Sequence, residues 1–259
     1  QRRRRPRHRA GAVVTPYYAD DHVTLYHGEA LRVLSELPDG SVDLVLTDPP
    51  YSSGGMVRGD RIQKTSDKYH AQDAQPDFTG DNRDQHAHAY WQALWVSECR
   101  RILNDTEVVG IFTDWRQLAS TIDSIQAGGL IYRGIVVWDK TERARGYPGR
   151  FAAQSEFVVW GTRGPRSDEY DYALRGVYPW PVPVNDERVH MTQKPVELLR
   201  DLVRICPTGG TVLDPFMGSG TTLVAAKSMG RKAIGIEIEE AYCEVAANRL
   251  RQEVLGLVA

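Results

Sequence analysis

Four consecutive residues, Asp48-Pro49-Pro50-Tyr51, combine an acid, two rigid imino acids and an aromatic ring. Asp48 offers a carboxylate acceptor, the peptide between Pro49 and Pro50 a carbonyl acceptor, and Tyr51 a flat face. Each proline holds φ at about −65° and lacks an N–H, so the chain turns with its carbonyls outward and its geometry set. Two fixed acceptors beside a stacking surface suit a planar amine, such as the exocyclic NH2 of a nucleobase.

A second constellation is Thr211-Val212-Leu213-Asp214-Pro215-Phe216-Met217-Gly218-Ser219-Gly220-Thr221-Thr222. It reads as a strand that ends in an acid, then a glycine turn that opens a helix near Thr222. A dinucleotide site has a related look, with Glu237 on the following strand. Here, however, Leu223 replaces the third glycine of that fingerprint, and Asp214 stands where a pyrophosphate would be repelled.

Asp48-Pro49-Pro50-Tyr51 resembles the catalytic motif of the amino-methyltransferases, which methylate adenine N6 or cytosine N4 in DNA. The stretch from Asp214 to Thr222 resembles that family's S-adenosylmethionine motif. His190-Met191-Thr192-Gln193-Lys194-Pro195 resembles its other cofactor element, which packs against the methionine end of the donor. The catalytic motif comes first in the chain, as in the β class, and the resemblance runs from about Val23 to Arg249. It implies an α/β, Rossmann-like methyltransferase fold, with a mostly parallel sheet flanked by helices and a late antiparallel strand.

The resemblance also implies roles. Asp48, Pro49, Pro50 and Tyr51 are the catalytic set, the amine hydrogens bonding to Asp48 and the Pro49 carbonyl while Tyr51 receives a flipped-out base. Asp214, next to Pro215 and Phe216, bonds the donor's ammonium, and the turn Gly218-Ser219-Gly220 with the hydroxyls of Thr221 and Thr222 holds its carboxylate. Glu237 bonds the ribose. Thr192, Lys194 and Pro195 supply the further element, Asp48 borders the cofactor, and Glu29 stands where the family has an aspartate. Thr192 also reads as a helix N-cap. Aspartate at position 48, where cytosine enzymes more often have serine, favours adenine N6 over cytosine N4. The rival readings are an RNA or glutamine-amide methyltransferase, and a binding module without turnover.

These residues need a sheet to position them. Leu44-Val45-Leu46 is an uninterrupted apolar run, as in a strand covered on both faces. Ahead of it, Val23 to Tyr26 reads as a strand and Ala30 to Leu37 as a helix ended by Pro38-Asp39-Gly40. Further strands are expected at Val108 to Phe112, Ile135 to Trp138, Glu156 to Trp160 and Ala233 to Glu237. Helices are expected at Ala89 to Leu103, Leu118 to Ala127, Leu198 to Ile205, Thr222 to Met229 and Glu240 to Leu255. The strand pair around Trp138 and Glu156 resembles the family's late antiparallel strands.

Ser52 to about His88 and Gly161 to Arg188 carry no sustained period and read as inserts over the site, roughly 52–88 and 161–190, that recognise sequence. Between the late strands, Arg143, Arg145 and Arg150 interleave with Tyr147 and Phe151 and suit phosphate or base contact. Asp84, His86 and His88 lack a ligand spacing, so no metal is expected.

At 259 residues the chain reads as a basic arm, 1–16, and one domain, 17–259. Six arginines crowd the first ten positions, so the formal charge of −2 falls to −8 without them. Such an arm suits phosphate contact. Gln1 at the first position reads as a processed or truncated end. No bilayer-length apolar run and no secretory pattern is visible, and the three cysteines, Cys99, Cys206 and Cys243, form no paired spacing. A cytoplasmic protein is expected, with DNA as partner, no membrane, and a second copy and a cognate restriction endonuclease as further partners.

Overall fold

The computed structural model describes residues 14–51, 83–142, 144, 146, 148–166, 173–183 and 194–256. Most of the arm, 52–82 of the first insert, Arg143, Arg145, Tyr147 and the stretch from His190 to Gln193 lie outside them, and with that stretch lies Thr192.

A short strand β1 (Tyr18–Ala19) leads into β2 (Val23–His27), whose Val23 and Leu25 are buried. Glu29 caps helix α1 (Ala30–Glu36), its carboxylate accepting from the Arg32 N–H at 2.9 Å, and the chain returns as β3 (Val42–Thr47). Asp84 caps α2 (Gln85–Ile102) in the same way, accepting from the Ala87 N–H at 2.9 Å. There follow β4 (Leu103–Thr113), α3 (Leu118–Ala127), β5 (Ile131–Asp139), β6 (Ser155–Thr162) and β7 (Val177–Pro179). The last third is α4 (Val196–Val203), β8 (Thr211–Asp214), α5 (Thr221–Ser228), β9 (Lys232–Glu237) and α6 (Glu240–Gly256).

The strands form one nine-stranded sheet in the order β1-β2-β9-β8-β3-β4-β6-β5-β7. Its centre, β2-β9-β8-β3-β4, is parallel, whereas β6 runs antiparallel to both β4 and β5. The sheet separates two apolar layers. On one side Leu44 and Leu46 pack with Leu198, Leu202, Leu223 and Ala246 from α4, α5 and α6. On the other, Val42 and Val45 pack with Val33, Trp95, Val96 and Ile125 from α1, α2 and α3. Burying each such aliphatic side chain contributes about 1.5–3 kcal/mol, which is why the run Leu44-Val45-Leu46 stays central. Asp43 pins the opposite end of β3, accepting from Asn104 Nδ2 at 2.7 Å and the Thr211 N–H at 2.8 Å. No helix among the described residues is long and apolar enough to cross a membrane.

The fold is the one expected, and several boundaries differ. Helix α2 begins at Gln85, so the first insert ends sooner than His88. His88 is 1% exposed, and burial with the nearby Arg83 lowers its imidazole to about 4. Within 161–188, β6 runs on to Thr162 and β7 adds a three-residue strand beside β5. Helix α4 starts at Val196 with Pro195 in the cap position, so Thr192 is not its N-cap. Proline at that boundary needs no N–H partner and presets the entering φ.

Candidate active site

In a parallel sheet the carboxyl ends of the strands share one edge, and there the loops leave room for a ligand. Thr47 ends β3 at this edge and Asp214 ends β8 beside it, and the Thr47 hydroxyl donates to Asp214 Oδ1 at 2.7 Å. One step beyond Thr47 is Asp48. Its Oδ1 accepts from the Tyr51 hydroxyl and its Oδ2 from Lys194 Nζ, both at 2.6 Å.

Lys194 is 7% exposed and also meets Glu156 Oε2 at 3.2 Å, while Lys140 Nζ reaches Glu156 Oε1 at 3.2 Å. The reversed direction of β6 makes this possible, because it brings the start of that strand to the edge where the parallel strands end. The Lys194 ammonium lies 5.3 Å from the ring centroids of both Tyr51 and Phe112, a further favourable environment for a buried cation.

The charges shape one another. Burial raises the Asp48 carboxyl above its usual range, with Lys194 opposing and Glu156 adding to the rise. Burial also works upward on Glu156, but Lys194 and Lys140 outweigh it and hold that carboxyl low. Lys194 stays protonated because two carboxylates overcome its desolvation. For Tyr51, burial and the two neighbouring carboxylates push the phenol well above its ordinary range, so it stays a neutral donor.

The second half is the glycine turn. Asp214 is 2% exposed, and burial lifts its carboxyl to about 6 against the hydrogen bonds of Thr47, Thr222 and the Phe216 N–H. Those three donors are neutral, so a cation brought to Asp214 meets a buried negative charge. Glu237 ends β9, where its Oε2 accepts from the Gly218 N–H at 2.9 Å and its Oε1 from the Glu239 N–H at 2.8 Å. Gly220, at φ +80°, caps α5, and a Cβ there would stand 2.8 Å from that of Ala246. Only glycine fits both the left-handed backbone and the close approach of α6. Arg249 Nη1 donates to the Ser219 carbonyl at 2.7 Å and to Thr221 Oγ1 at 3.1 Å.

Both halves line one cavity of about 590 Å3, a size suited to a small-molecule site. Asp48, Pro49, Pro50, Tyr51, Lys194, Asp214, Pro215, Phe216, Gly218, Ser219, Thr221, Thr222, Glu237 and Glu29 all border it. Two of them also have partners within the protein that the sequence does not show. Lys194 sits on Asp48 rather than only with the cofactor element, and Glu29 is engaged as the cap of α1. The hydroxyls of Thr221 and Thr222 are bound within the protein, to Arg249 and Asp214. Buried Asp214, acceptor Glu237 and the turn at the start of α5 fit S-adenosylmethionine, whose methionine end carries an ammonium and a carboxylate.

Sequence reasoning misses Glu156, Lys140 and Trp91 as lining residues. The Trp91 ring is tilted at 56° to that of Phe216, centroids 5.2 Å apart, and the Arg83 guanidinium lies 4.3 Å from the Trp91 centroid. Its helical period with Trp95 is visible, but which way that face points is not.

The family model described as DNA methylase matches residues 42–248. The type II methyltransferase M.HinfI of Haemophilus influenzae is 29% identical over 253 residues, covering 88% of this chain and 68% of its own. Among solved structures, the M1.HpyAVI–SAM complex matches with a TM-score of 0.64 at 24% identity, over 88% of this chain and 98% of its own. The cytosine-N4-specific PvuII DNA methyltransferase matches with a TM-score of 0.65 at 19% identity, over 90% of this chain and 87% of its own.

Proposed function

This chain belongs to the N6/N4 DNA methylase family, and from that premise we propose that it methylates the exocyclic N6 of adenine, at a base turned out of the duplex. It is a DNA methyltransferase with S-adenosylmethionine as its donor. When bound, that donor supplies a methyl on a positively charged sulfur, which keeps the bonding electrons as the methyl leaves.

The protein's part is to make a weak nucleophile attack. An exocyclic amine shares its lone pair with the ring, and hydrogen bonds from its two hydrogens to Asp48 and the Pro49 carbonyl draw the nitrogen towards tetrahedral geometry. Its lone pair then points out of the ring plane. Asp48 takes up the proton that the nitrogen releases once methylated. Tyr51 stacks on the base, which requires its hydroxyl to leave Asp48 Oδ1. Asp214 and Glu237 fix the donor, so the reacting atoms meet by positioning rather than through a covalent enzyme intermediate. The amine of a paired base is out of reach, which is why extrusion belongs to the reading.

The single observation that carries adenine over cytosine is the carboxylate of Asp48 at this corner, held by Tyr51 and Lys194. A carboxylate stabilises the positive charge growing on the nitrogen better than a hydroxyl does. Mass spectrometry of nucleosides from DNA of cells expressing the protein tests it. A rise in N6-methyladenine is expected, and N4-methylcytosine without it refutes the assignment. The likeness to PvuII DNA methyltransferase makes cytosine N4 the second reading. The same proposal includes a cognate restriction endonuclease and a second copy of the chain as partners, and site recognition by the 52–88 and 161–190 segments.

A further inference from the structure

Lys194 is an unusual residue to bury. It carries three protons and no acceptor, and two of its neighbours are acids, Asp48 Oδ2 at 2.6 Å just past the end of β3 and Glu156 Oε2 at 3.2 Å in β6. Glu156 is in turn held by Lys140 at 3.2 Å. The four charges form a neutral chain, Asp48-Lys194-Glu156-Lys140, with the reacting corner at one end. The Tyr51 hydroxyl lies across it, 2.6 Å from Asp48 and 3.4 Å from Glu156. None of the expected roles of the Asp48-to-Tyr51 motif includes Glu156, and a purely cofactor-directed Lys194 would have no need of Asp48.

We propose that Lys194 and Glu156 are positioning residues for methyl transfer: Lys194 bridges the two acids and holds Asp48 as a carboxylate in one rotation, while Glu156, anchored by Lys140, sets how fully that cation is shared. The inference rests on the reading of Asp48 as acceptor for the target amine. Chemically, the nitrogen's lone pair forms the N–C bond as the C–S bond breaks towards sulfur. The nitrogen then carries a positive charge until one of its two protons passes to Asp48 and on to water. A protonated Asp48 can do neither job, so whatever keeps it ionised governs the rate on the acid side.

The groups facing Asp48 from each neighbouring element give the signs. Lys194, just ahead of α4, favours the carboxylate. Glu156 at the start of β6 and Asp214 at the end of β8 disfavour it, Tyr51 donates to it, Lys140 acts through Glu156, and Asp114 after β4 acts on Tyr51. Removing Lys194 therefore raises the pH at which Asp48 ionises, removing Glu156 lowers it, and removing both moves it back.

The test is single-turnover transfer of a tritiated methyl group to unmethylated plasmid DNA across the pH range, in the full chain. In Lys194→Gln the acid limb should move upward by about one to three pH units, with the plateau rate kept within about tenfold and the KM for DNA little changed. Glu156→Gln should move the limb down, and the double variant should lie between. A merely structural role lowers the rate in all three without moving the limb. A wild-type circular dichroism spectrum and a cooperative thermal transition show that each variant is folded. If Lys194→Gln does not fold, Glu156→Gln decides alone: a limb at lower pH supports the inference and an unmoved limb overturns it. An active wild type with unmoved limbs in the variants overturns this inference only, whereas a wild type that methylates no DNA overturns the functional reading and the inference with it.

Discussion

Asp214→Asn should stabilise the protein at alkaline pH while weakening its hold on the methyl donor. Burial lifts the Asp214 carboxyl from 3.8 to about 6, because Thr47, Thr222 and the Phe216 N–H cannot make up for the water it loses. A folded-state value above the unfolded one means that the group's contribution is fully present below pH 3.8 and is lost as the pH rises through about 6. At about 1.4 kcal/mol per pH unit, the loss amounts to about 1.5 kcal/mol by pH 5 and about 3 kcal/mol by pH 8. Asparagine keeps an oxygen for Thr47 and the Phe216 N–H, its amide can donate to a rotated Thr222 hydroxyl, and it has no charge to desolvate. Urea unfolding of both proteins at the two pH values gives the answer, since all other carboxylates are common to both and cancel. The variant's advantage should be larger by about 1.5 kcal/mol at pH 8 than at pH 5. Donor affinity, by calorimetry, should fall about 10- to 100-fold, as befits a lost charge-assisted contact of about 1.5–3 kcal/mol. An equal gap at both pH values, or an unchanged dissociation constant, refutes the reasoning.

Three further substitutions probe the rest of the site. Asp48→Ala should abolish methyl transfer and leave donor binding nearly intact, and turnover within about tenfold of wild type, under about 1.4 kcal/mol, would show that Asp48 is not the acceptor. Glu237→Ala should weaken the donor first, by about 1.5–3 kcal/mol, and also free the Gly218 N–H, so a wild-type affinity would contradict its role. Gly220→Ala adds left-handed strain of about 1–2 kcal/mol to a clash with Ala246, and denaturant titration should report a loss above about 2 kcal/mol.

Asp48 and Asp214 are legible in the sequence because each follows consecutive apolar residues whose double-sided burial fixes where the strand ends. Gly220 is legible as a turn, but its second constraint, contact with Ala246, depends on the docking of α6. Glu156 and Lys140 are not legible as site residues: Glu156 meets Lys194, and Lys140 meets Glu156, only because β6 runs against its neighbours, and no local period encodes the direction of a strand. The first turn of α2 is hidden by its polar residues Gln85, His86 and His88, although Asp84 is the kind of residue that caps a helix. Three residues of β7 are too few for any period, and its place beside β5 comes from long-range pairing. Lys194 is legible as a motif residue, while its partner is set by the fold.

Both oxygens of Asp48 are engaged before any substrate arrives, one by the Tyr51 hydroxyl and one by Lys194. On the proposed role of Asp48, an entering amine would exchange one hydrogen bond for another of the same kind, and the resting complex would gain little affinity from the contact. The balance tips only as the nitrogen turns cationic, since a phenol hydroxyl stays neutral while the amine's bond to the carboxylate becomes a bond between charges. Asp48 should then be almost silent in the KM for DNA and speak in kcat, the pattern of a group complementary to the transition state rather than to the substrate.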